Sequence, residues 1–320
     1  MRAPRASRLA AALDCIVFSR SFRAIAGALS AFGALALPSA CVVCGRWDTS
    51  LCIGCSRSFR SATARPFRAE DAAEALPDVE GPPGRSRAPA GGRGAGDRAG
   101  DDVYGPLPVV AAGRYGREVS AVMLAYKNHG HVDLTGPVAA ALGAALHEAL
   151  SGGAVSDRSG RPVLLVPVPT RAAARRRRGY DPLMMLLSQL ARTGRLPTGA
   201  TLAPWLRPVP PVLRSAASPG KGRTPRLGRL AFEVLTSGVS GGQKGSSRRR
   251  RRSNVLNSMV LPGSRHRQME GRRCLIIDDV LTTGATIGEA HRALVAAGAE
   301  VVGAVVVAAT RSPAGDHATG

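Results

Sequence analysis

The residues best equipped for chemistry lie in one run, Cys274-Leu-Ile-Ile-Asp-Asp-Val-Leu-Thr-Thr-Gly-Ala-Thr286. A buried-type strand, Leu275 to Ile277, leads into two adjacent carboxylates, Asp278 and Asp279. These can accept hydrogen bonds from a sugar diol or hold the waters of a metal ion. Thr282, Thr283, Gly284, Ala285 and Thr286 then offer hydroxyls and backbone N–H groups at the start of a helix expected from about Ile287 to Ala297. A helix N-terminus favours a phosphate there. An acidic turn that merely caps a helix would leave the pair of aspartates and the Thr-Thr-Gly-Ala-Thr loop unexplained together.

Cysteine spacing points to a second chemistry. Cys41-Val-Val-Cys44, seven residues and Cys52-Ile-Gly-Cys55 form two C-x-x-C pairs, each able to chelate one ion. Together they complete a tetrahedral Cys₄ site, for which zinc is the usual occupant and iron is possible. The alternative is a pair of disulfides in an exported protein. A redox C-x-x-C normally comes singly. Residues 41–60 are too few to hold a core, so the expectation is a small zinc knuckle whose folding energy comes from the metal. Ala24 to Ala40 is apolar and follows Arg20 and Arg23, as a signal peptide would. However, it is Ala/Gly-rich, Pro38 ends it as a helix, and Cys41 belongs to the metal set. The expectation is a cytoplasmic protein without a membrane span, with residues 1–40 a partly disordered helical segment.

The elements that must position these groups begin at Val103. Residues 61–102, rich in Gly and Pro and without apolar periodicity, read as a flexible linker. Strands are expected at Leu107 to Ala112, from Val163 into Thr170, and at Val301 to Ala309. Helices are expected at Gly116 to Lys127, Val138 to Leu150 and Leu183 to Arg192. This alternation over 103–313, before a tail at 314–320, indicates an α/β fold with a mostly parallel sheet covered on both faces. Ligands of such sheets bind at the carboxyl ends of the strands.

Net charge is +22, and 21 of those charges lie between Arg161 and Arg273. The excess is a segment rather than a background, and it asks for a polyanionic partner. Arg171, Arg175 to Arg178, Lys244 and Arg248 to Arg252 could clamp a pyrophosphate by charge-assisted bonds. Arg178, Lys244, Arg248, Arg249, Arg250, Arg251 and Arg252 could equally contact DNA phosphates. Aromatic residues for base stacking are few in 161–273, with Trp205 and Phe232 the candidates.

The 274–286 run resembles the PRPP-binding signature of type I phosphoribosyltransferases. Further motifs narrow the likeness: the Cys₄ pairs, Leu124-Ala-Tyr-Lys-Asn-His-Gly130, Val166-Pro-Val-Pro-Thr170, Arg178-Gly-Tyr-Asp181 and Gln243-Lys-Gly…Arg…Asn254. Together they resemble the ComF (competence protein F) family over residues 25–60 and 103–311. The resemblance implies a type I phosphoribosyltransferase fold with a small N-terminal zinc knuckle, PRPP as ligand and Mg²⁺ bound with it. Asp278 and Asp279, the catalytic candidates, would contact the ribose hydroxyls. Val280 and Thr282 to Thr286 would surround the 5′-phosphate, and Val168, Pro169, Thr170 and Arg171 would form the pyrophosphate loop. Two features depart from the family: Asp181-Pro182 replaces a frequent Asn-Gln, and within a basic flap at about 214–253 the segment from about Ala216 to Gly242 is expanded. With nine residues after Arg311, the expectation is no C-terminal base-binding hood, so that residues 103–135 and the zinc module would supply the acceptor site, with Tyr126 and Lys127 as candidates. His129 is assigned no role. The resemblance also implies a part in natural competence and DNA uptake, alongside other competence proteins. The alternative to an enzyme is a non-enzymatic adaptor that binds single-stranded DNA through the Arg-rich segment.

Overall fold

In a computed structural model, residues 40–80, 104–151, 161–170, 172–209 and 257–310 are described. Six strands form the central sheet: β1 (Phe67–Arg68), β4 (Val109–Arg114), β5 (Val163–Pro167), β6 (Ala200–Leu202), β9 (Arg273–Leu281) and β10 (Glu300–Ala309). Their spatial order is β1-β4-β10-β9-β5-β6, and every pairing except β1 with β4 is parallel. Two short antiparallel ladders lie outside it, β2 (Asp78–Glu80) with β3 (Tyr104–Pro106) and β7 (Arg207–Pro208) with β8 (Met259–Val260).

Both sheet faces are buried, as continuous apolar strands require. On one face Val110, Ala112, Leu275, Ile277, Val305 and Val307 pack under α1 (Ile53–Ala62), α2 (Arg117–Asn128), α3 (Thr135–Ser151) and α5 (Pro182–Arg192). Asp181 caps α5 by accepting from the Met184 N–H at 3.2 Å, with Pro182 at the first helical position. On the other face Val109, Ala111, Ile276, Ala304 and Val306 meet α7 (Ala285–Val295). Two short helices complete the chain order, α4 (Ala172–Arg178) before α5 and α6 (His266–Met269) before β9. The architecture is that expected from the sequence.

Four expectations are corrected. The strand carrying the aspartates does not end at Ile277, because β9 continues through Asp278 and Asp279 to Leu281, laddered to β10 at Asp278↔Val306 and Leu281↔Ala309. Residues 61–80 are not linker. β1 adds to the sheet, and Ala69 and Ala73 are buried in the second core. Further along, the Leu107 N–H donates to the Pro77 carbonyl at 2.8 Å. The rest of the expected linker, to 102, lies outside the described residues. The Cys segment is not a separate knuckle either. Phe59 is fully buried in the first core, and Val42, Val43 and Leu51 pack against it. The end of α1 presses on β4 so closely that a Cβ at Gly113 would meet the Ala62 carbonyl oxygen at 2.7 Å. Finally, Trp205 is no open stacking platform, since it packs on the second core with the Arg265 guanidinium 5.0 Å from its ring centroid.

Residues 1–39, the basic stretch at 210–256 with Phe232, and the tail lie outside the described residues. No helix among the described residues is long and apolar enough to cross a membrane.

Candidate functional site

Pairing between β5 and β9 stops at Pro167↔Ile277, with one further bond from the Val168 N–H to the Ile277 carbonyl at 2.9 Å. Beyond it the chain of Val168, Pro169 and Thr170 leaves the sheet while β9 continues beside β10 alone. Asp278 and Asp279 therefore lie in β9 at the carboxyl end of the sheet, where their β5 neighbour has ended. Two turns follow these strands at that end, 168–170 after β5 and 282–284 after β9, as ligand binding in an open α/β sheet requires.

Asp278 and Asp279 are held differently. The Asp278 Oδ1 accepts from the Asp279 N–H at 2.8 Å, and Asp279 Oδ2 is 2.5 Å from Lys127 Nζ. Burial, then the neighbouring Asp279 charge, raises the Asp278 carboxyl from 3.8 to about 7, against the pull of that N–H and of Lys127. An acid raised on folding adds stability that is complete below its unfolded value and is lost as pH climbs through its folded value. Here the loss runs from about pH 4 to about pH 7. Asp278→Asn should thus raise the melting temperature relative to wild type at pH 8 more than at pH 4, by about 2–4 °C per kcal/mol relieved. Equal differences at both pH values would contradict this.

Gly284 caps α7 in the left-handed conformation, φ +82°. A Cβ there would also come within 2.9 Å of Leu76, and the Ala75 N–H donates to the Thr283 carbonyl at 2.9 Å. The loop at the start of α7 is therefore braced by residues 75–76. The Ala285 N–H reaches Thr283 Oγ1 at 3.4 Å, and Thr282 is exposed. Sequence reasoning missed Ala75 and Leu76, because nothing in their own types suggests contact with a loop two hundred residues onward.

The acceptor candidates separate on inspection. Tyr126 is buried and donates its hydroxyl to the Pro182 carbonyl at 2.8 Å, so it builds the wall and does not face a ligand. Lys127 reaches the site through Asp279. His129 is exposed at the end of α2. Arg178 donates from Nη2 to Asn128 Oδ1 at 3.2 Å, while its buried Nε finds no acceptor among the described residues. The Tyr180 hydroxyl donates to the Tyr126 carbonyl at 2.6 Å. Arg171, Lys244 and Arg248 to Arg252 lie outside the described residues. The β7–β8 stem from which the last six depart is held by the Val209 N–H to the Ser258 carbonyl at 2.7 Å. Buried Glu289 of α7 accepts from the Met259 N–H at 3.0 Å and from Arg292, which also donates to the Met259 carbonyl.

The four cysteines converge as their spacing suggests. Cys41 and Cys44 flank a tight turn closed by the Gly45 N–H to the Cys41 carbonyl at 2.8 Å, and Cys52 and Cys55 open α1. Their Sγ atoms all lie within 4.8 Å of one another, and Cys44 and Cys52 are 3.7 Å apart. That is no disulfide distance, but it matches the edge of a tetrahedron with ~2.3 Å metal–sulfur bonds, about 3.8 Å. Burial opposes ionisation of Cys41, yet the N–H groups of Cys52, Cys44 and Val43 bring the thiol down to about 6. The set can hold one metal ion.

Comparison with known proteins agrees with this geometry. Residues 225–319 match the family model of the phosphoribosyl transferase domain. A stretch of 47 residues, 15% of this chain, is 60% identical to an orotate phosphoribosyltransferase of Nocardioides sp. and covers 26% of it. A stretch of 40 residues, 12% of the chain, is 52% identical to an adenine phosphoribosyltransferase of Mycolicibacterium gilvum and covers 22% of it. The chain thus matches about a quarter of the length of these curated relatives. Fold and matched domain make this chain similar to the type I phosphoribosyltransferases.

Proposed function

We propose that the protein is a ComF-like member of this class that binds PRPP, or a related phosphorylated ligand, together with Mg²⁺ at the carboxyl ends of β5 and β9. The observation that carries the reading is the Asp278–Asp279 pair at the end of the sheet, followed directly by the Gly284 helix start within the matched domain. In this reading the two aspartates accept from the ribose hydroxyls, and Thr282 to Thr286 surround the 5′-phosphate with Val280 beneath. Val168, Pro169, Thr170 and Arg171 face the pyrophosphate, for which the free Nε of Arg178 supplies a donor. A nitrogen nucleophile then displaces pyrophosphate from C1 of the ribose through an oxocarbenium-like transition state. Mg²⁺ bound with the diphosphate would neutralise the leaving charge, and the protein's contribution is position and electrostatics.

The Cys₄ set holds a structural zinc ion, since four thiolates in a closed tetrahedron leave no open position for substrate. The protein is cytoplasmic and serves DNA uptake, with Lys244 and Arg248 to Arg252 available to PRPP or to single-stranded DNA. Titration of PRPP with Mg²⁺ into the protein should give saturable binding at one site per chain by calorimetry. No detectable binding would retire the reading.

A further inference from the structure

Three successive residues at the end of α2 each tie down a different part of the candidate site. The Tyr126 carbonyl accepts from Tyr180, and Asn128 Oδ1 accepts from Arg178. Between them Lys127 crosses to Asp279 on β9. The backbone of this turn is immobilised, because the Tyr126 ring is buried and its hydroxyl is bonded to Pro182. The Lys127 side chain stands partly in solvent, 35% exposed against 20% for Asp279. A flexible four-carbon stem on a fixed turn lets an ammonium change partners without moving the fold.

That ammonium stands where a cation would otherwise approach Asp279. A ligand that delivers hydroxyls to the aspartates and negative charge to the neighbouring turns offers the ammonium a better partner. We infer that Lys127 is a charge-exchange residue. It keeps a bare divalent cation off the carboxylate pair in the free protein, and it passes to the diphosphate when the ribose hydroxyls take its place. The first half stands on the ion pair alone, whereas the second rests on the PRPP reading. Lys127 is a positioning residue, and it makes the site select a phosphorylated sugar–metal complex over the metal by itself.

The test compares the full-length wild type with Lys127→Met, Lys127→Gln and Lys127→Arg by calorimetry. With MnCl₂ alone, an oxygen-seeking cation that the thiolate set does not favour, both neutral variants should bind at least about tenfold more tightly than wild type. Lys127→Arg should stay within about twofold of wild type because the charge is kept. Adding Asp279→Asn to Lys127→Met should remove the gain. Unchanged Mn²⁺ affinity in both neutral variants, or a gain that survives Asp279→Asn, overturns the exclusion. With PRPP and Mg²⁺, the neutral variants should lose about tenfold in affinity while Lys127→Arg retains most of it. Wild-type affinity for PRPP in the neutral variants overturns the exchange. A wild type that binds no PRPP retires the functional reading instead, and the Mn²⁺ comparison still decides the exclusion.

Discussion

Replacing Asp278 and Asp279 together by Asn should weaken PRPP binding in the presence of Mg²⁺ by at least about 100-fold. Hydrogen bonds to charged groups contribute about 1.5–3 kcal/mol each. Losing two of them therefore corresponds to about 3–6 kcal/mol, or two to four decades in affinity. Asparagine keeps the volume and one acceptor, so the fold is not at issue. Relief of the crowded Asp278 carboxyl should leave the double variant at least as resistant to heat as wild type at pH 8. That combination, a firmer fold with a failed site, separates a binding role from a structural one. Calorimetric titration measures the affinity and a melting curve measures the fold. Affinity within a factor of about three of wild type would remove the carboxylates from the ligand and with them the proposed function.

The second large effect concerns the metal. Changing Cys41 and Cys44 together to Ser should lower the metal content from about one ion per chain to none. Its consequence should reach far beyond the cysteines. Phe59 lies four residues after Cys55 and is fully buried under the sheet, and truncating a Phe of that kind costs about 3–5 kcal/mol. Val42, Val43 and Leu51 pack on the same core. If α1 loosens when its thiolate anchor goes, these contacts go with it. The variant should then melt in one transition at least about 10 °C lower than wild type. A detached module would behave otherwise, showing an early, separate transition and an unmoved main one. Metal analysis after gel filtration and a circular-dichroism melt decide between them. A metal-free double variant with the wild-type melting curve would contradict the structural role.

The parts of the fold that could be read in advance are those whose side chains alone record their environment. β4, β5 and β10 are apolar along their lengths because both of their faces are covered, and α2, α3, α5 and α7 carry their apolar stripes in register with the sheet. The aspartates and the glycine-bearing loop were legible because their chemistry has few other uses. What was illegible was held by backbone. Residues 67–80 make two-residue and three-residue strands and single N–H bonds, to Thr283 and from Leu107, which leave no periodicity. The extension of β9 past Ile277 hid for the same reason, since two charged residues break an apolar run without breaking a ladder to β10. Lys127 was read only as an acceptor-site candidate, and its pairing with Asp279 hid for a different reason. A lysine in the last turn of a helix is ordinary complement to the helix dipole, and only the packing of α2 reveals that its charge meets Asp279.

The β7–β8 stem has a further implication for how this protein can change. Its two strands are registered Arg207↔Val260, and Met259 is clasped by Glu289 and Arg292 of α7, the helix that follows the Gly284 loop. A closed stem makes the length of whatever it subtends nearly irrelevant to the fold, because doubling a loop adds only about 0.6 kcal/mol of closure entropy. Insertions and deletions between Val209 and Asn257 can therefore accumulate in one lineage and vanish in another at almost constant stability. The stem thus separates changes in chain length from the carboxylates on β9, which stay where the sheet holds them.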